Sequence, residues 1–134
     1  MKIISKFLQE QIDKPVTVPF VTHKHNPRSG SAHYDIRIID PQDDKILHSF
    51  AAGTNLPEKI KTKLVLVKTK DHNPRWLDLD SYRLETYDKG KCIISKFFPN
   101  YWEVEFKGKH LKGKYKMLKL KTRRGDNWLL IKSS

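Results

Sequence analysis

The sequence predicts a mainly β fold, a small antiparallel β-barrel of about eight strands preceded by a short N-terminal helix. Three observations carry this expectation. From Val16 onward Val, Ile, Tyr and Phe alternate with polar residues in short runs, the period of half-buried strands. These runs are punctuated by Pro, Gly, Asn and Asp rather than by helical stretches, and strands joined by such short connections usually pair antiparallel. The 134 residues contain no long polar or Pro/Gly/Ser-rich divider, so residues 1–134 read as one domain. Eight strands without intervening helices favour a closed or nearly closed barrel over a sandwich.

Residues 1–17 form the lead-in. Ile3, Ile4, Phe7, Leu8 and Ile12 recur at spacings of three and four, which predicts a short amphipathic helix ending near Pro15. The barrel then occupies residues 18–132. Its strands are expected near 18–23, 33–39, 46–51, 63–69, 91–97, 101–107, 114–121 and 127–132. Turn chemistry supports the division: Asp40-Pro41 with Asp43-Asp44 separates the second and third strands, Gly108 follows the sixth, and Arg124-Gly125-Asp126-Asn127 precedes the last. No internal repeat or low-complexity segment interrupts the pattern.

Hydrophobic residues make up 37% of the chain, recurring in clusters, which argues against global disorder. A chain of this size buries roughly two thirds of its unfolded surface and needs no structural metal. Twenty-seven Lys and Arg against fifteen Asp and Glu give a formal charge of +12, which favours polyanionic partners, nucleic acid first and anionic lipid second. The single cysteine, Cys92, excludes an intrachain disulfide framework and a cysteine-rich zinc site, which suits a reducing, cytoplasmic setting. The start is too polar for a signal peptide, and no apolar run approaches the ~20 residues that span a bilayer. A monomer without a membrane partner is expected.

The most informative stretch is Thr22 to Ile39, THKHNPRSGSAHYDIRII. On a strand, His33, Asp35 and Arg37 share one face while Tyr34, Ile36 and Ile38 share the other. An imidazole, a carboxylate and a guanidinium in a row read as a site: the first two suit Mn²⁺ or Zn²⁺, and the Arg fork suits a phosphate oxygen. His25, one loop earlier, is placed to return as a third ligand, leaving open positions for water and substrate. Taken singly, His23, His25 and His33 would each read as solvated surface histidines. His72, at a strand end before Asn73-Pro74, reads by position alone as a turn residue, although histidines at barrel rims also bind phosphate or move protons.

These residues and their order resemble the 3'-phosphoesterase domain family of bacterial and archaeal DNA ligase D. The similarity runs through Phe20-Val21, Lys24-His25, His33-Tyr34-Asp35-Ile36-Arg37, Ser49-Phe50-Ala51 and Asp71-His72. It continues in Gly108-x-x-Leu111-x-Gly113-Lys114-Tyr115 and Asn127-Trp128-Leu129-Leu130-Ile131-Lys132, covering about residues 18–132. The resemblance implies a β-barrel enzyme of DNA repair and end joining that removes 3'-phosphates and 3'-terminal ribonucleosides. It assigns Mn²⁺, with Zn²⁺ or Co²⁺ as alternatives, to His25, His33 and Asp35, and the scissile phosphate to Arg37 and His72. The implied partners are DNA or RNA–DNA 3' ends, together with a repair ligase and polymerase.

The chain departs from the family pattern in several places. The loop between His25 and His33 is longer by about two residues, which a surface loop accommodates at small entropic cost. Thr54 stands where the family has an active-site lysine, with Lys59, Lys61 and Lys63 nearby as substitutes. Trp76 replaces a tyrosine, keeping an aromatic surface on which a terminal base could stack, as could Tyr82, while Trp102 and Trp128 read as core or barrel-edge residues. The family's acidic and arginine-bearing lead-in is not recognisable in Met1 to Val18. Two other readings stand beside the enzyme: a basic nucleic-acid-binding module that kept the fold and lost catalysis, and a small metal-binding structural protein.

Overall fold

The period-two pattern becomes β1 (Val16–His25), β2 (His33–Ile39), β3 (Leu47–Ala51), β4 (Lys63–His72), β5 (Leu84–Phe98), β6 (Tyr101–Lys107), β7 (Lys112–Lys119) and β8 (Asn127–Lys132). In the computed structural model, which describes residues 11–54 and 63–133, these strands close into a barrel in the order β1-β2-β3-β4-β8-β7-β6-β5. Every adjacent pair is antiparallel, β5 returning to β1. Closure removes the unpaired edges that an open sheet of this charge would expose. Among the described residues no helix is long and apolar enough to cross a membrane. The helix expected at the start falls mainly on residues 1–10, outside the described residues; Gln11 bonds through its N–H to the Phe97 carbonyl, and Ile12 is buried.

Strands β2, β6 and β8 have the bounds the sequence predicts. The largest difference is β5, which begins at Leu84 rather than near residue 91. Its first half holds Glu85, Asp88, Lys89 and Gly90, types depleted in strands, and pairing with β1 from Val21 to His25 overrides that preference. The barrel interior is aromatic. Phe50 from β3 meets Trp102 from β6 at 5.5 Å and Trp128 from β8 at 5.6 Å between ring centroids, with all three rings buried. Cys92 lies in the same core, where burial pushes its thiol well above the ordinary range and leaves it inert.

Two β-bulges shape the outer face of β1 to β4. Thr22 faces Asp88 and His23 faces Thr86, so Tyr87 is an extra residue in β5 beside His23. Leu47 faces His72 while Ser49 faces Thr69, so β4 carries an extra residue between Thr69 and His72. β2 is buried without a break from Asp35 to Ile39, on both its faces. The polar face of β2 is therefore a covered surface, and the connection from β4 to β5 covers it.

Candidate active site

Antiparallel pairing of β1 with β2 sets His25 opposite His33 and His23 opposite Asp35. The two strands thus bring together side chains that are eight to twelve positions apart in sequence. His25 Nδ1 lies 3.1 Å from His33 Nε2, and His33 Nε2 lies 3.5 Å from Asp35 Oδ2. The ligand atoms of His25, His33 and Asp35 all fall within 4.8 Å of one another. Two donors bound to one ion at ~2.1 Å, at tetrahedral or octahedral angles, stand ~3.0 to 3.4 Å apart. Spacing and donor chemistry therefore both fit a divalent transition metal, with two imidazoles and one carboxylate leaving positions open.

Arg37, two residues beyond Asp35, is buried against it. Its Nη2 donates toward Asp35 Oδ2 at 3.4 Å, and its Nη1 lies 2.7 Å from His23 Nδ1. Burial pulls the guanidinium below its ordinary pKa while the Asp35 carboxylate opposes the shift. Arg37 Nε is buried with no hydrogen-bond partner among the described residues. His23 was legible only as a solvated histidine, and the structure corrects that: it is fully buried. Its Nε2 is 2.9 Å from the Leu79 carbonyl, which can only accept, so Nε2 carries the proton and Nδ1 accepts from Arg37. A period-two reading backward from His25 would have put His23 on the same face.

Burial lowers the His23 pKa from 6.5 to about 4, against the Leu79 hydrogen bond, with Arg37 lowering it further. A depressed histidine pKa contributes stability that is complete above the unfolded value and lost as pH falls through the folded one. Between pH 7 and pH 5 the metal-free protein should lose about 2 kcal/mol from this group, because the unfolded chain takes up a proton that folded His23 refuses. Urea unfolding in chelator at the two pH values would check it against His23→Gln, which should lack this component. An equal pH dependence in both proteins would show that His23 is not the group responsible.

The β4-to-β5 connection supplies the other wall. Asn73 caps a 3-10 helix, Pro74–Asp78, by accepting from the Arg75 N–H, and Pro74 pre-sets the first turn. Trp76 on this helix lies with its ring centroid 5.0 Å from Arg37 Cζ and 4.3 Å from the His72 ring. His72 Nδ1 is 3.0 Å from Ser49 Oγ. Burial, and then the Arg37 charge, hold the His72 pKa below its ordinary value, so the ring is neutral at neutral pH. The result is a cleft of ≈390 Å3 whose lining includes His25, His33, Asp35, Arg37, His72 and Trp76, though not Tyr82.

Two cations in that lining were not anticipated, Lys70 and Arg83. Thr54 is exposed beyond the end of β3 and does not line the cleft; Lys63 is exposed at the start of β4, and Lys59 and Lys61 lie outside the described residues. A cation is nonetheless present, because the β4 bulge lets both Thr69 and Lys70 reach the cleft where strict alternation would allow only one. Tyr82 is 84% exposed, with Arg83 Cζ 5.9 Å from its ring centroid. Neither models of known protein families nor curated proteins match this sequence.

Proposed function

We propose that the chain is a metal-dependent phosphoesterase acting on the 3' ends of DNA or RNA–DNA, the activity that its resemblance to the 3'-phosphoesterase domains of DNA ligase D implies. The observation that carries this reading is the meeting, in one cleft, of a metal-type triad with Arg37, His72, Lys70 and Arg83. Three cationic side chains beside a cation site suit a ligand that is itself strongly anionic and shares its oxygens between metal and protein, as a terminal phosphate does. His25, His33 and Asp35 would hold Mn²⁺, which when bound would supply the Lewis-acid charge for such chemistry.

The protein's own groups then have distinct tasks. Arg37 is fixed from two sides, by His23 and by Asp35, so the part of its guanidinium that lines the cleft is held in place before substrate arrives. His72 is neutral at rest, which favours a hydrogen bond to a phosphate oxygen over action as an acid already protonated in the free enzyme. Trp76 excludes water from one side of Arg37 and strengthens its field. A cytoplasmic setting among repair ligases and polymerases belongs to the same reading.

The test is turnover. With 5'-labelled primer-templates ending in a 3'-phosphate or a 3'-ribonucleotide, the purified protein should yield 3'-hydroxyl ends in manganese and none in chelator. Binding without turnover on either substrate would overturn the enzyme and leave the basic binding module.

A further inference from the structure

The loop joining β7 to β8 builds a second basic site outside the cleft. It forms a groove of ≈830 Å3 lined by Asn100 and by residues of the 119–126 segment. The loop is braced from within. Asn127 Nδ2 donates to Thr122 Oγ1 and to the Arg124 carbonyl, both at 3.1 Å; the single Thr122 hydroxyl proton is shared between the Arg124 and Gly125 carbonyls. Gly125 takes the left-handed φ of 74° that the turn requires. Polar side chains and backbone of the loop are thus spent holding its shape, while Lys121, Arg123 and Arg124 stand exposed.

The charge balance here is one-sided. Asp126, the segment's only carboxylate, accepts from Trp128 Nε1 at 2.9 Å and faces Lys119 Nζ at 3.6 Å. Lys121, Arg123 and Arg124 have no carboxylate partner among the described residues. The lysines of β7 differ, since Lys114 and Lys116 stand opposite Glu105 and Glu103 of β6. The loop also adjoins the cleft. The Lys68 N–H of β4 bonds to the Asp126 carbonyl at 2.8 Å, and Lys70, which lines the cleft, follows two residues later. At ~3.3 Å per strand residue, the point where the loop docks on β4 lies roughly 7 Å along the strand from Lys70.

We infer that the β7–β8 loop is a phosphodiester-backbone site, which grips a nucleic-acid strand through Lys121, Arg123 and Arg124 while its 3' end occupies the cleft. The inference rests on the cleft being a 3'-end site for its purpose, yet the contact itself is independent of catalysis. Backbone phosphates match three exposed cations on an internally hydrogen-bonded loop and demand no base readout, so affinity is sequence-independent and salt-sensitive. The loop sets how firmly a strand is held; the cleft sets what happens to its end.

The test uses the full chain in chelator, so that binding is read without turnover, with a short DNA duplex as probe over a series of salt concentrations. Lys121→Gln/Arg123→Gln/Arg124→Gln should weaken binding roughly 10- to 100-fold and lower the slope of log affinity against log salt by about 2 to 3. Lys112→Gln/Lys114→Gln/Lys116→Gln removes the same charge elsewhere and should change both far less; equal effects from the two triple variants would reduce the loop to bulk charge and overturn the site. Unchanged affinity and slope in the loop variant would do the same, as would binding of the unmodified protein to phosphatidylserine vesicles but not to the duplex. If the unmodified protein binds duplex through the loop but never turns over a 3' end in manganese, the loop site stands and the phosphoesterase reading falls.

Discussion

Asp35→Asn and His33→Ala are expected to lower manganese-dependent 3'-end processing by about 10²- to 10³-fold or more, while leaving duplex binding in chelator within about twofold. Each alters a proposed metal donor, Asp35→Asn by neutralising it and His33→Ala by removing it, and neither touches the loop cations or Arg83. The choice of Asn at position 35 matters. Asp35 is buried and accepts from Arg37, so Asp35→Ala would strand a buried guanidinium and confuse loss of metal with loss of fold. Asn keeps an oxygen for Arg37 and removes the charge that a divalent ion needs. His33 is half-buried at the cleft mouth, and its removal leaves no orphan in the core. Arg37→Ala should impair processing and end binding together, because it removes the proposed phosphate contact and empties the space beneath Trp76. Processing by His33→Ala at the unmodified rate, across a manganese titration, would remove the metal triad from the mechanism.

The barrel and the triad were legible because both follow from period two. His33, Asp35 and Arg37 share a face by strand geometry alone, and pairing β1 with β2 brings His25 opposite His33. Three features were not legible, and each comes from a long-range contact. Lys70 enters the cleft through a bulge, and nothing in LVLVKTKDH marks where the β4 ladder slips. His23 is buried because the segment ending at Leu79 folds over it, a contact between positions 56 apart. The first half of β5 is a strand because β1 pairs with it, against the preferences of Asp88, Lys89 and Gly90. Local sequence proposes a residue's face, and tertiary cover decides whether that face is solvent, core or cleft.

Asp88 shows what that strand extension does for stability, and its replacement should have the largest effect on the fold. Its side chain is 4% exposed and accepts four backbone N–H groups: Lys89 and Lys109 on Oδ1, each at 2.8 Å, with His110 at 2.9 Å and Leu111 at 2.7 Å on Oδ2. The turn between β6 and β7 is wound around this carboxylate. Gly108 must be glycine there, since a Cβ would collide with Asp88 and with the Phe20 ring. Removing the acceptor strands the N–H groups of a turn whose last member, Leu111, is buried, and charge-assisted bonds of this kind contribute more than neutral ones. Asp88→Ala should therefore cost about 3 to 5 kcal/mol, lowering Tm by roughly 10 to 18 °C. Asp88→Asn should cost a large part of that, because its amide donor would face two N–H groups that need an acceptor. Thermal and urea unfolding of the three proteins would measure the series; a Tm for Asp88→Ala within a few degrees of the unmodified protein would mean that the turn is held by its backbone pairing alone.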